Sequence, residues 1–365
     1  MGKFELGRNE KCLCGSGIKY KYCCMGKQDE PETNINLTKK SQIDKMIKAG
    51  RFKHCIHPNQ NECSENIIKA HSIQHNKILN NLSKDGMLIM FSYDFNNNND
   101  FFINYKLIGK KNSTTFTGFC EKHDKITFQP IEDKNFIGND KQNFLFAYKA
   151  FAYEFHKKLE QLNGYQVRFK TKPSLAKDID FYLNYLGVEL GLNDLVYYKE
   201  IFDKSIMEND YSNIETFIIK FKGSSKIAVC TGFILVYDLL GSKLIIDELS
   251  IERQKLIFLN LFPQNDETFV LFSWLKEDTE HYINFKNQLL EASEKQQISI
   301  LNNLIPSYSQ NTVINPEFFD KLTDIEKDNL TKVFNYNFDD NNYNLIKKNL
   351  IIDSSYNLFK NLNID

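Results

Sequence analysis

Several things are scarce in this 365-residue chain, and each shortage excludes something. Net charge is nearly absent: 46 Lys and Arg stand against 47 Asp and Glu, so no global field draws the protein onto nucleic acid or an anionic membrane. Long apolar runs are missing too, and without one no membrane-spanning helix is expected. The opening residues MGKFELGRNEK lack the apolar stretch of about 7 to 15 residues that a secretory signal needs, so the expected location is the cytoplasm. Tryptophan occurs once. In its place stand 30 Phe and 18 Tyr within a 42% hydrophobic chain, which is a globular composition and not a disordered one. The length exceeds one comfortable core, so two or three domains are expected.

Unpatterned cysteine is also scarce. Seven of the eight cysteines fall in tight groups; only Cys230, inside IAVCTGFILVYDLL, stands alone, as a small core residue does. In a reducing compartment such groups hold metal more often than they form disulfides. The charge is uneven as well, with twelve Lys or Arg against six Asp or Glu in residues 1–53.

Residues 8–24, RNEKCLCGSGIKYKYCC, contain Cys12-x-Cys14-x8-Cys23-Cys24. Two thiolates one residue apart, a Gly-Ser-Gly turn and an adjacent pair can surround one tetrahedral Zn2+, because Gly15 and Gly17 let the backbone fold back. Lys19 and Lys21 offset the charge of four thiolates. The stretch resembles the SEC-C zinc motif in its CxCGSGxKYKxCC order, with Cys24 where the family often carries His. That resemblance implies an adaptor that touches a protein or ribosomal partner, and a module that folds around its metal.

A second group lies in residues 51–132. Cys55 and Cys63 flank a loop with Pro58, and Cys120 and His123 have the Cys-x2-His spacing that sets both on the first turn of a helix. Together they make a second Zn2+ site of three cysteines and one histidine, in which a looped pair and a helix-borne pair converge as in a treble clef. His71 is a further candidate ligand in place of Cys63. His54, His57 and His75 fall outside the paired spacing and are expected to be solvated. ENIIKAHSIQ and MLIMFSYDF read as strands, HNKILNNLSKDG as a short helix and turn, and FNNNNDFF as a surface loop.

This region resembles HNH nucleases. In that family a His ends the first strand and a later cysteine-rich run carries a zinc pair followed by a catalytic metal ligand; here Ala70-His71-Ser72-Ile73 and Cys120-Glu121-Lys122-His123-Asp124 match those places. The resemblance implies His71 as general base and Asp124 as the ligand of a Mg2+ or Mn2+ that stabilises charge on a scissile phosphate. Ala70 stands where the family carries an acidic residue, and Thr115 where it usually has Asn. Lys48, Arg51 and Lys53 are candidate phosphate contacts.

Beyond residue 140 the pattern changes. Phe144, Tyr148, Phe151, Ala152 and Phe155 mark one face of a helix expected to end at Asn163-Gly164, and Ile179, Tyr182, Leu183, Leu186 and Leu190 mark a second. Residues 214–275 hold five β-rich runs with close turns, an antiparallel meander with no nucleotide fingerprint; Asp238, Asp247 and Glu248 show no paired-carboxylate spacing. HYINFKNQLLEA is amphipathic, Thr323 and Glu326 form a capping box, and the last 30 residues read as a helix pair.

The expected fold is α+β: a SEC-C zinc module (1–27), a linker (28–45), an HNH-like zinc domain (46–140), a helical segment (141–210), an antiparallel β-rich segment (211–276) and a C-terminal helical segment (277–365). The expected function is metal-dependent nuclease action on DNA or RNA, suited to bacterial defence. The alternative, from a different class, is a non-catalytic zinc adaptor that recognises a protein, ribosome or nucleic acid.

Overall fold

The structure, a computed structural model, describes residues 4–31, 39–64, 66–96, 100–245, 252–337, 342 and 344–363. In chain order its elements are α1 (Lys39–Gly50), β1 (Ile67–His71), α2 (Asn80–Leu82), β2 (Met87–Phe95), β3 (Phe101–Gly109), β4 (Thr115–Cys120) and α3 (Glu121–Glu132). There follow α4 (Asp140–Thr171), α5 (Ile179–Glu208), β5 (Ile214–Lys222), β6 (Ile227–Phe233), β7 (Ile257–Gln264) and β8 (Glu267–Leu275). The tail holds α6 (Thr279–Glu291), α7 (Glu294–Tyr308), β9 (Thr312–Ile314), α8 (Pro316–Asp320) and α9 (Asp324–Tyr336). Mixed helix and antiparallel sheet agree with the α+β expectation. Among the described residues no helix is long and apolar enough to cross a membrane.

The chain divides into two compact units. The first comprises Met1–Lys53, Phe95–Phe101 and Phe155–Tyr198. Here α4 runs past Asn163-Gly164, where the sequence suggested a stop. Gly164 serves close approach instead: a Cβ there would lie 3.1 Å from the Met46 carbonyl oxygen, and one on Gly50 would lie 2.3 Å from that of Glu160. Two glycines thus let α1 and α4 touch backbone to backbone, and Asn163 donates to the Gly50 carbonyl at 3.0 Å. On α5 the buried positions in this unit are Phe181, Tyr185, Val188, Leu195 and Tyr198, while Ile179 and Leu183 are exposed. Apolar residues occupy both faces of this helix, and the aromatic one is the face that is covered.

The second unit comprises His54–Asp94, Phe102–Glu154 and Lys199–Asp365. Its seven-stranded sheet has the order β3-β2-β9-β6-β7-β8-β5. The five β-rich runs are therefore not a simple meander: β5 pairs with β8 rather than with β6, and β6 turns its free edge to β9. A strand placed between its sequence neighbours has to bury both faces, and Ile257 to Pro263 of β7 are all buried. Ile257, Leu259 and Leu261 join the core made with α6, α7 and α9. On the opposite face Phe262 stacks on Phe146 of α4 with centroids 4.7 Å apart, and Phe258 meets Phe202 at 5.7 Å. Residues 144–152 of α4 are buried on every side, so the run FLFAYKAFA carries apolar residues all round and one charged residue, Lys149.

The capping box at Thr323 and Glu326 is present, with Thr323 Oγ1 accepting from the Glu326 amide. In the last 30 residues the expected helix pair is absent among the described residues, which form turns. Asn and Ser side chains there compete for backbone groups: Ser354 donates to the Tyr356 carbonyl, and Asn357 accepts from the Phe359 amide. Leu350, Tyr356, Leu358 and Phe359 are nonetheless buried. Part of the linker (32–38), the Asn-rich loop (97–99) and Asp247 and Glu248 lie outside the described residues.

Candidate metal centres

In the first unit the four amino-terminal cysteines converge. Gly15 and Gly17 adopt φ of 77° and 71°, the left-handed region open to glycine, and the chain turns back so that the Cys12 amide donates to the Ile18 carbonyl at 2.8 Å. Cys14 Sγ lies 3.4 Å from Cys23 Sγ, which lies 3.8 Å from Cys24 Sγ. All four sulfurs fall within 4.8 Å of one another. Tyr20, between the pairs, is buried edge-on against Phe169 at 6.1 Å, and Leu6, Leu13, Leu175 and Phe181 complete the core beneath. The Ser16 hydroxyl lies 3.1 Å from Cys23 Sγ, placed to donate to it when the sulfur is a thiolate.

In the second unit β1 and β4 pair antiparallel, with Ile67 opposite Cys120 and His71 opposite Thr115, and β4 leads directly into α3. Cys120 is the N-cap of that helix and accepts from the His123 amide, so the Cys-x2-His spacing sits on the first helical turn as expected. The Cys55–Cys63 loop folds over it: the Ile56 amide donates to the Gly118 carbonyl, and Lys122 bridges to Glu62 at 2.7 Å. His123 Nδ1 then stands 3.4, 3.5 and 3.3 Å from the sulfurs of Cys55, Cys63 and Cys120.

Tetrahedral Zn2+ with Zn–S near 2.3 Å and Zn–N near 2.0 Å places ligand sulfurs about 3.8 Å apart and sulfur and nitrogen about 3.6 Å apart. The sulfur–nitrogen distances of the second set lie close to that spacing, the ligand atoms of each set all fall within 4.8 Å of one another, and both are soft thiolate sets of the kind that selects zinc. Cys14, Cys23, Cys12 and Cys24 fit one ion; Cys55, Cys63, Cys120 and His123 fit a second. His71 is in neither set. His57 is buried rather than solvated and stacks on His123 at 3.9 Å, covering a ring whose Nε2 has no hydrogen-bond partner.

His71 ends β1. Its Nδ1 lies 3.0 Å from the Ser113 carbonyl, so that nitrogen carries the proton and Nε2 holds the lone pair. Burial, together with the neighbouring His75, lowers its pKa to about 4, which keeps the ring neutral. The turn that supplies the carbonyl is strained: Thr114, β-branched and buried, has φ of 55°, and its own carbonyl accepts from the amide and hydroxyl of Ser72. Asp124 lies in the first turn of α3, where burial raises its carboxyl to about 6 against the pull of Lys149. Its Oδ1 is buried with no hydrogen-bond partner.

The Mg2+ or Mn2+ expected beside Asp124 does not fit these residues. Hard divalent ions want several oxygen donors, and the residue before His71 is Ala70, which is buried and offers none. The charge near Asp124 is instead the Lys149 ammonium, buried on α4, ion-paired with Glu132 and 4.6 Å from the Phe128 ring centroid. Sequence reasoning missed Lys149 and Glu132. The available signal was one cation inside an otherwise apolar helical run.

A family model, the SEC-C motif, matches residues 8–26. No curated protein and no solved structure matches the chain.

Proposed function

We propose that the protein is a zinc-dependent adaptor, which docks on a protein or ribosomal partner through the SEC-C module of residues 1–27 and uses the second zinc centre as architecture. The carrying observation is the surface that the first cluster builds. Around its four thiolates Tyr22 is 73% and Ile18 50% exposed, and Met25 is exposed beside them. A metal-fixed apolar group of this kind lowers the entropy cost of binding, because its backbone is ordered before contact. The test is cosedimentation with ribosomes plus photo-crosslinking from position 22. Capture that disappears in the variants Ile18→Ser and Tyr22→Ser, with zinc content unchanged, supports the adaptor; equal capture by both variants refutes it.

The second centre is best read as a treble clef: a looped cysteine pair, the β1–β4 pair and the first turn of α3 meet on one ion. One observation favours the hydrolytic alternative in residues 46–140. Strain at Thr114 and the Ser113 carbonyl fix His71 in the tautomer a general base needs. That reading predicts nicking of DNA or RNA, lost in His71→Ala at constant zinc content; it calls for a Mg2+ or Mn2+ that the residues beside Asp124 do not fit, which ranks it second, and it is the only reading to which a defence role attaches. Absence of nicking in the wild type across metals and substrates removes it.

A further inference from the structure

We infer that a lysine-lined concavity in the second unit binds a short chain of phosphates, as the tail of a nucleotide or as free inorganic polyphosphate. This goes beyond the adaptor reading and does not depend on it.

The concavity measures about 490 Å³, and Lys84, Lys226, Lys321 and Lys360 stand in its wall. Small-molecule sites typically occupy about 300 to 1,000 Å³. The four lysines come from four separate stretches of chain: the turn after α2, the turn before β6, the residue after α8 and the carboxy-terminal segment. Asparagines pin those stretches together. Asn315, the N-cap of α8, donates its side-chain amide to the Leu82 carbonyl at 2.9 Å and its backbone amide to the Lys226 carbonyl at 2.8 Å. Asn361 donates to the Ser224 carbonyl at 2.6 Å, and the Lys360 ammonium reaches the Lys321 carbonyl at 3.5 Å. These bonds fix where each lysine leaves the wall, so a ligand meets charges that are already gathered.

Charge and side-chain chemistry define the ligand. Lys84 pairs with Glu317 at 2.7 Å and Lys360 with Glu326 at 3.4 Å. Lys226 and Lys321 pair with no acid among the described residues, which leaves two positive charges unbalanced in a chain whose net charge is −1. A concave wall focuses the field of such charges onto an anion. Lysine ammoniums are point-charge partners for phosphate, and a single phosphate fills only a small part of this volume. A base has nothing to stack on, because Phe318, the one aromatic residue lining the concavity, is 6% exposed. Grooves that hold a single nucleic-acid strand interleave aromatic platforms with their cations, so the lining fits a phosphate chain better than RNA.

The test is isothermal titration calorimetry of the zinc-loaded full chain with sodium tripolyphosphate and, separately, with ATP, zinc content being checked after each titration. Wild type should bind at least one of them, with an affinity that falls as NaCl rises from about 50 to about 300 mM. Lys226→Gln and Lys321→Gln should each weaken binding roughly three- to tenfold, whereas Lys204→Gln on α5, outside the concavity, should leave it unchanged. Given that lysine dependence, tighter binding of tripolyphosphate supports the site as one for free polyphosphate, and tighter binding of ATP supports it as one for a nucleotide tail. Binding that both concavity variants retain overturns the inference, and so does the absence of binding by either anion. An oligouridylate that binds through the same lysines where neither anion does would assign the surface to RNA and overturn it equally. If Lys226→Gln does not fold, Lys321→Gln, at an exposed residue, still decides.

Discussion

A single methyl group, placed at two glycines, should move stability in opposite directions. Gly50 ends α1 and Gly187 lies inside α5. A Cβ on Gly50 would sit 2.3 Å from the Glu160 carbonyl oxygen, 2.9 Å from the Gly164 nitrogen and 3.0 Å from its Cα, all of them backbone atoms that cannot swing aside. Helix α1 must therefore back away from α4. That costs about 1 to 3 kcal/mol in overpacking, plus about 1 kcal/mol for the stretched Asn163 to Gly50 hydrogen bond. Helix propensity returns at most about 1 kcal/mol, so Gly50→Ala should destabilise the first unit by about 1 to 3 kcal/mol. Around Gly187 a Cβ meets nothing within 4 Å. Only the backbone entropy of glycine remains there, and Gly187→Ala should stabilise by about 0.5 to 1 kcal/mol. Urea unfolding followed by far-UV circular dichroism gives both values. Amide exchange across residues 39–50 and 160–168 locates the first. A Gly50→Ala protein as stable as wild type, with α1 equally protected, would refute the close-approach reasoning.

Metal analysis of the purified chain should return two zinc ions. Cys14→Ser should lose one and leave exchange protection of β1 and β4 intact, whereas Cys120→Ser should lose the other and unprotect that pair. Acid should weaken the second unit through His71. Its folded pKa of about 4 lies below the free value near 6.5, so between those limits the unfolded chain binds more protons, and stability present above pH 6.5 is lost as pH falls towards 4. Allowing for screening of a part-buried ring, the loss is about 1 to 2 kcal/mol, and His71→Gln should flatten the profile of urea midpoint against pH. Asn335 closes the outer edge of β3, accepting from the Ile103 amide at 2.7 Å and donating to its carbonyl at 2.9 Å. Asn335→Ala should cost about 1 to 2 kcal/mol and raise aggregation measured by light scattering, because it frees a strand edge that carries exposed Phe101, Tyr105 and Leu107.

Both ligand sets were legible because metal chemistry forces residue type and spacing: a thiolate pair one residue apart, or a Cys-x2-His on a first turn, leaves little else for the chain to be doing. The strand candidates ENIIKAHSIQ (65–74), of which 67–71 form β1, and MLIMFSYDF (87–95), and the capping box at Thr323, were legible for the same local reason. Lys149 and Glu132 were not. They lie seventeen residues apart on different helices, and only folding brings them together. Gly164 was misread as a stop because a glycine for close approach and a glycine for termination look alike until the partner, here Gly50, is known. The sheet order escaped for a further reason. β2 belongs by sequence to the zinc region, yet it pairs with β9, more than two hundred residues on.

The same long-range pairing explains why the second centre needs a metal. β1 and β4 form an antiparallel pair, but the chain between them leaves to build β2 and β3 at one end of the seven-stranded sheet before returning. No tight turn sets their register, and a bulge already interrupts it between Ile68 and Ala70. An ion that ties Cys63 to Cys120 closes a loop of roughly 57 residues, worth about 4 kcal/mol if it acts on the unfolded chain as a covalent cross-link would. The amino-terminal cluster closes only about nine residues between Cys14 and Cys23, so its ion shapes a local knuckle and removes less chain entropy. Chelation should accordingly open the β1–β4 pair while the pairing of β6, β7 and β8 survives, because β7 and β8 are joined by a short turn, β6 and β7 are buried almost throughout, and these strands supply no ligand to either zinc set.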